Sequence, residues 1–129
     1  MRIFVVKGFD RFQRRERITD AMLCGAVRDA RRGLVDAKLD AELIKQRIAR
    51  PGQGKRGGFR ALIALRGKER AVFLYGFAKS ERENIAPDQL AELKLYASRW
   101  LGFDDDAIER AIADDELREV ICEEEGKKA

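Results

Sequence analysis

The sequence contains no histidine, and this absence removes several kinds of active site at once. Ser-His-Asp and Cys-His nucleophilic sites need an imidazole base, and many zinc sites need histidine nitrogen as a ligand. Any catalysis must therefore use other groups. Asp104, Asp105 and Asp106 form a consecutive run that is better explained as a helix start than as a metal-binding loop, so neither a metal nor another cofactor is expected.

Cysteine and long apolar segments are also scarce. Cys24 and Cys122 are the two cysteines, and they match no metal or redox spacing, so we expect a reduced pair and not a disulfide. The apolar run at residues 3–6 is far shorter than a signal-peptide core, and no stretch approaches the roughly 18 apolar residues of a membrane span. The sequence therefore predicts a cytoplasmic protein with no membrane partner.

Charge, in contrast, is abundant and unevenly distributed. The 129 residues include 27 Lys and Arg against 23 Asp and Glu, a net charge of +4. Residues 43–80 hold ten basic residues and one acidic residue (net +9), whereas residues 102–129 hold four basic and eleven acidic residues (net −7). A local cationic excess is typical of a phosphate-binding surface, although a solvated basic face is the ordinary alternative. We assign residues 1–129 to a single domain with an acidic C-terminal extension at 103–129.

Hydrophobic periodicity predicts a strand at residues 2–6 and then two helices. The first helix is short and basic, with Phe9 and Phe12 on its apolar side, and the second begins at Thr19. The apolar stripe of the second helix comprises Leu23, Val27, Ala30 and Leu34, with Gly33 near its C-terminal cap. From residue 43 the period changes to two, which places Ile44, Gln46 and Ile48 on one face of a strand and Lys45, Arg47 and Ala49 on the other.

The second half of the chain predicts a hairpin followed by more helix. The predicted elements are strands at 59–66 and 71–77, a helix from Pro87 to Gly102, a short helix capped by Asp104, and either a strand or an ordered strap at 117–121. Tyr75 and Trp100 lie within apolar patterns and are expected in the core. The resulting order is β-α-α-β-β-β-α-α, an α+β fold with helices packed on one face of a small, mostly antiparallel sheet.

Strand alternation also predicts a cluster of cations. Phe59, Ala61, Ile63 and Leu65 form the core side of the 59–66 strand, and Arg60, Leu62, Ala64 and Arg66 form the other side. Arg60 should then face Lys45 and Arg47 across the strands, where three neighbouring cations need an anion. The glycine-rich loop at 51–58 adds Lys55 and Arg56, but it matches neither a Walker A nor a dinucleotide motif because a strand follows it.

Three segments carry a family resemblance: Lys-Gln-Arg-Ile-Ala-Arg at 45–50, Gly-Lys-Arg-Gly-Gly-Phe-Arg at 54–60, and Tyr-Gly-Phe-Ala-Lys-Ser-Glu-Arg at 75–82 with Asn-Ile at 84–85. Together they resemble the RelE/HigB group of toxins from bacterial type II toxin–antitoxin modules, most closely its HigB-like branch. The resemblance implies a RelE-like fold and a metal-independent endoribonuclease that cuts mRNA on the ribosome and so inhibits translation. It also implies a cognate antitoxin as partner, of the HigA-like helix-turn-helix type.

The resemblance further implies roles for individual residues. The catalytic group would be Lys45 and Arg47 at the scissile phosphate, Arg60 as the stabiliser of transition-state charge, and Lys79. The RNA-binding group would be Arg50, Lys55, Arg56, Ser80 and Arg82. The chain departs from the family where Ser80 replaces a frequent asparagine and Ala86 stands in place of a tyrosine. The general base stays open between a lysine and a carboxylate such as Glu81 or Glu83.

Two other classes of function remain compatible with the sequence. A ParE-like toxin would bind a protein such as DNA gyrase without cutting RNA, because a fold does not determine a function. A basic module could also bind RNA without chemistry. The clustering of Lys45, Arg47 and Arg60 favours the nuclease over the ParE-like toxin, and mapping of mRNA ends beside a gyrase assay would separate the classes.

Overall fold

The computed structural model describes residues 1–49, 58–78 and 85–122, and within them it contains six strands and four helices. In chain order these are β1 (Arg2–Val6), α1 (Lys7–Arg15), α2 (Asp20–Arg31), β2 (Ala37–Asp40), β3 (Leu43–Ile48), β4 (Phe59–Arg66), β5 (Arg70–Ala78), α3 (Pro87–Gly102), α4 (Asp105–Ala113) and β6 (Leu117–Val120). The strands form one sheet in the order β2-β3-β4-β5-β1-β6. Among the described strand pairs β1 and β5 are parallel and the others antiparallel, which confirms the predicted α+β class.

The sheet has two more strands than the predicted order. β2 is a four-residue edge strand that pairs with β3, and its alternating half-buried and exposed residues include two charged ones. β6 pairs with β1 at the opposite edge, so the segment that could have been a strap is a strand. Short, charged edge strands resist pairing with other chains, and they also leave little hydrophobic pattern to recognise.

Helices cover both faces of the sheet, which corrects the expectation of a one-sided arrangement. Helices α1 and α2 pack on the face that carries Ile3 and Val5, whereas α3 and α4 pack on the face that carries Phe4. Leu62 and Ala64 share a side of β4 with Arg60, yet both are fully buried in the second core. The continuous apolar run between Arg60 and Arg66 is therefore that of a strand buried on both faces over its central part.

Aromatic rings fill the core beneath α1. Phe9 lies against Phe73 with ring centroids 5.1 Å apart, and Phe12 meets Phe59 edge to face at 5.7 Å. Gly76 of β5 lies directly under the Phe12 ring, so that a Cβ at this position would overlap the ring. The glycine therefore allows α1 to approach the sheet closely.

Helix α2 begins as predicted, because the Thr19 hydroxyl accepts a hydrogen bond from the Met22 N–H. Gly33 follows the helix with φ +85°, a left-handed conformation that glycine adopts without strain. Leu34 is 63% exposed, so its predicted place in the buried stripe is wrong. The helix ends at Arg31, so the helical spacing that predicted the stripe no longer applies at Leu34.

Cys24 and Cys122 form a disulfide, so the prediction of a reduced pair is wrong. Cys24 lies in α2 and Cys122 follows β6, and the two meet because β6 returns to the sheet beside β1. The separation of the two cysteines in the sequence does not predict that they are close in the fold. Residues 105–120 of the acidic segment thus include a helix and an edge strand, whereas residues 123–129 lie outside the described ranges.

Two arginines hold the C-terminal end of α3 against the sheet. Arg66 donates to the carbonyl of Leu101 at 3.0 Å, and Arg70 donates to the carbonyls of Trp100 and Phe103 at 2.9 and 2.7 Å. Cations at this end of a helix satisfy its last carbonyls and complement its dipole. None of the helices in the described part of the chain is both long and apolar enough to cross a bilayer.

Candidate anion-binding site

Strands β3 and β4 bring three predicted site residues together at one end of the sheet. Arg47 is the register partner of Arg60, and Lys45 is the partner of Leu62 on the same face. Alternation forces this arrangement, since Ile44 and Ile48 occupy the opposite, α2-facing core. We call Lys45, Arg47 and Arg60 the cationic site.

The cationic site is partly sheltered. The side chain of Arg60 is 11% exposed and that of Lys45 is 18% exposed, and the Nε atom of Arg47 is buried. Gly58 lies beside the two arginines, because a Cβ placed there would be 3.7 Å from Arg47 Nε and 3.9 Å from Arg60 Nη1. Charges that are held in partly desolvated positions interact more strongly with an anion than freely solvated ones do.

A carboxylate that the sequence did not indicate lies in the same place. Asp36 Oδ2 is 3.3 Å from Arg60 Nε and 3.6 Å from Lys45 Nζ. Asp36 immediately precedes β2, and its carboxylate is therefore brought to β3 and β4 by a strand that the sequence pattern did not predict. No motif surrounds it, so only the pairing of β2 with β3 could have revealed its position.

Gln46 positions the segment that carries Asp36. This side chain is 2% exposed, and its Oε1 accepts the backbone N–H of Asp36 at 3.2 Å. Its Nε2 donates to the carbonyls of Ala26 and Leu34 at 3.0 and 2.9 Å. The amide thus ties the middle of α2 and the segment between α2 and β2 to β3, on the side of the strand opposite the cationic site.

The remaining predicted residues lie outside the described ranges: Arg50, Lys55, Arg56, Lys79, Ser80 and Arg82, together with the two candidate bases Glu81 and Glu83. Ile48 pairs with Phe59, which in turn pairs with Ala78, so the described ends of β3 and β5 lie on either side of the start of β4 at this end of the sheet.

Two aromatic residues extend the face that carries Arg60. Phe77 is the register partner of Arg60 and is buried, and Tyr75 is the partner of Leu62 and is half-buried, with the two ring centroids 6.1 Å apart. Tyr75 packs against the second core, and Trp100 of α3 is buried within it. The expectation that Tyr75 and Trp100 are core aromatics is therefore confirmed, with Tyr75 at the margin.

The cavity beside the disulfide does not include the cationic site. A cavity of about 530 Å³ lies beside the disulfide, between α2 and β6, and none of the three cations lines it. Within the described residues, no group of three His, Cys, Asp or Glu side chains is placed to hold a metal ion.

The chain is a small α+β protein with a mostly antiparallel sheet, and three cationic side chains lie together on one face of β3 and β4. Comparison with known families matches residues 1–120 to the RelE toxin of the RelE / RelB toxin-antitoxin system. The chain therefore belongs to the RelE toxin family. Among curated proteins, none matches the chain.

Family membership defines the general role of the chain. Proteins of this family are the toxin components of toxin–antitoxin systems and are generally endoribonucleases. The chain is accordingly a RelE-type toxin, and its partner is an antitoxin.

Proposed function

We propose that this toxin is a metal-independent endoribonuclease that cuts mRNA on the ribosome and thereby inhibits translation in the cytoplasm. Its closest group would be the HigB-like branch. The observation that carries the proposal is the cationic site itself, in which the register of β3 and β4 sets Arg47 opposite Arg60 with Lys45 on the same face. Three cations on one sheet face can bind a phosphodiester and stabilise the charge that develops on it.

Each cation has a distinct task in the proposed reaction. Arg60 presents a planar guanidinium, which can contact two phosphate oxygens at once and stabilise the charge that develops on them. Lys45 and Arg47 neutralise and align the phosphate. Alignment and charge stabilisation can supply much of the rate, which is why a site without histidine can act on RNA that the ribosome has already oriented.

The partner in the proposal is a HigA-like, helix-turn-helix antitoxin. The segment 43–80, with its net charge of +9, would attract an acidic surface of the antitoxin. Co-expression should abolish toxicity and yield a stable complex. If no product of a neighbouring gene binds the toxin, the proposed pairing is refuted.

Controlled expression in growing bacteria tests the activity. Mapping of mRNA 5′ ends should reveal new cuts within translated codons soon after induction. A parallel assay of gyrase supercoiling separates the nuclease from a ParE-like toxin. Inhibited supercoiling with intact mRNA would reject the nuclease in favour of that alternative.

Arg60 is the residue whose replacement should matter most. We expect Arg60→Ala to lower the cleavage rate by about 10²- to 10³-fold, which is the typical effect of removing one transition-state donor. Arg60→Lys should also lose most of the rate, because an ammonium cannot make the two-pronged contact. Arg110→Ala, which removes an exposed arginine from α4, serves as the matched control. Full cleavage by an Arg60→Ala protein that melts like wild type would show that the site is elsewhere.

A further inference from the structure

The carboxylate of Asp36 lies within ion-pair distance of two members of the cationic site. One oxygen, Oδ2, approaches both Arg60 Nε and Lys45 Nζ, at 3.3 and 3.6 Å. An RNA phosphate that binds these two cations must come close to this oxygen. The carboxylate would repel that phosphate, so a site built only to bind RNA would be better without it.

The position suits a different task, which is to accept a proton. Arg60 and Lys45 carry donors, and the chain contains no histidine. Asp36 is the carboxylate that the described residues bring into contact with these cations. Its side chain is 32% exposed, which leaves it accessible to substrate.

We propose that Asp36 is the general base of the cleavage reaction, an assignment that rests on the proposed nuclease function. Asp36 takes the proton of the ribose 2′-hydroxyl, and the 2′-oxygen forms a bond to the adjacent phosphorus. The bond from phosphorus to the 5′-oxygen breaks, and that oxygen takes a proton from water. The products are a 2′,3′-cyclic phosphate and a 5′-hydroxyl, and protonated Asp36 returns its proton to water.

The main chain of Asp36 is held in place beside the cationic site. Its N–H is bound by the buried amide of Gln46, so the residue is anchored from the face of β3 that points away from the site. The charged groups that face its carboxylate from the packed strands are Lys45 on β3 and Arg60 on β4, with Arg47 opposite Arg60 in register. A base has to be held in this way beside the atoms that it serves.

Asp36→Asn should slow cleavage without weakening the binding of substrate. The substitution keeps the size of the side chain but removes its charge and most of its basicity. In a reaction with programmed ribosomes, we expect kcat to fall by about 10²- to 10⁴-fold, the usual contribution of a positioned base. Binding of an uncleavable 2′-deoxy substrate should be unchanged or tighter. Asp29→Asn, at an exposed position of α2, is the matched control and should behave like wild type.

Chemical rescue separates a base from a structural carboxylate. Asp36→Ala leaves space beside the cations, and added sodium formate should restore part of its cleavage rate. Formate should not restore Arg60→Ala, which retains Asp36 but lacks the phosphate contact. Rescue confined to Asp36→Ala supports the assignment, whereas Asp36→Ala that binds RNA normally and is not rescued by formate overturns it.

The outcomes distinguish the base from the function on which it depends. If wild-type protein cuts no RNA on ribosomes, the proposed nuclease function fails. If wild type cuts and Asp36→Asn cuts as fast or faster, the nuclease stands and the base assignment is wrong. Asp36 would then be a counterion that the substrate displaces.

Discussion

Replacement of Gln46 by leucine tests the hydrogen bonds that join β3 to α2 and to the segment that carries Asp36. Gln46 is 2% exposed and makes hydrogen bonds of 2.9, 3.0 and 3.2 Å to Leu34, Ala26 and Asp36. Leucine has a similar volume and fits a buried strand position. It can accept or donate none of these bonds, so the substitution removes the polar contacts while it leaves the packing nearly intact.

The expected cost follows from where the three partners lie. A hydrogen bond contributes about 0.5–1.5 kcal/mol net, and a buried group left without its partner costs about 1–3 kcal/mol. Leu34 and Asp36 are exposed, so water can replace the amide there, whereas Ala26 is buried. We therefore expect Gln46→Leu to lower the free energy of unfolding by about 2 kcal/mol. For a chain of this length, that corresponds to a decrease in Tm of roughly 8 °C.

Urea unfolding followed by circular dichroism measures the loss directly. With an m-value of about 2 kcal/mol/M, the midpoint should move down by about 1 M urea. Gln46→Glu provides the comparison, because a carboxylate can still accept the Asp36 N–H but cannot donate to the two carbonyls. Burial of its charge should make it less stable than Gln46→Leu.

The order of stability is the sensitive part of the prediction. Wild type should be the most stable, followed by Gln46→Leu and then by Gln46→Glu. A Gln46→Leu protein as stable as wild type would show that the amide bonds contribute nothing net. A Gln46→Glu protein more stable than Gln46→Leu would show that water reaches the side chain at position 46.

Three further outcomes follow from features elsewhere in the fold. Gly76→Ala should lower the free energy of unfolding by about 1–3 kcal/mol because the new methyl group meets an aromatic ring of α1, and an unchanged melting temperature would contradict that packing. Reduction of the bond between Cys24 and Cys122, which are 98 positions apart, should cost about 2–5 kcal/mol, whereas an unfolding curve indifferent to reductant would mean that the bond does not form. Burial alone would raise the pKa of Asp20, but hydrogen bonds from Arg118 and Gln13 hold that pKa below its ordinary value. The resulting stability is present at neutral pH and is lost as the pH falls below about 4, so Arg118→Ala should flatten the acid limb of a plot of stability against pH.

The secondary structure that the sequence predicted well is the part in which periodicity is strong. Residues 44–48 alternate between buried and half-buried positions, and α3, from Pro87 to Gly102, carries a clear apolar stripe. The alternation alone placed Lys45, Arg47 and Arg60 on one face, because a strand in register leaves no other arrangement. This part of the site was predictable from spacing.

What could not be predicted depends on contacts between distant elements. Strand β2 is four residues long, and without it nothing indicates that Asp36 reaches the cations. The disulfide and the pairing of β6 with β1 join the two ends of the chain, where spacing is uninformative. The second core was missed because Arg60 and Arg66 made one side of β4 look polar, although Leu62 and Ala64 between them are buried.

The placement of β1 between β5 and β6 has a consequence for the order of folding. Strands β2 to β5 pair with their neighbours in sequence, so these hairpins can form early at a small cost in chain entropy. β1 must wait for β5, since Arg2 pairs with Arg70, and β6 needs β1 in place, since Val120 pairs with Ile3. During synthesis the strands that carry the cations can therefore assemble first, and the first strand to leave the ribosome joins the sheet only after more than half of the chain has followed it.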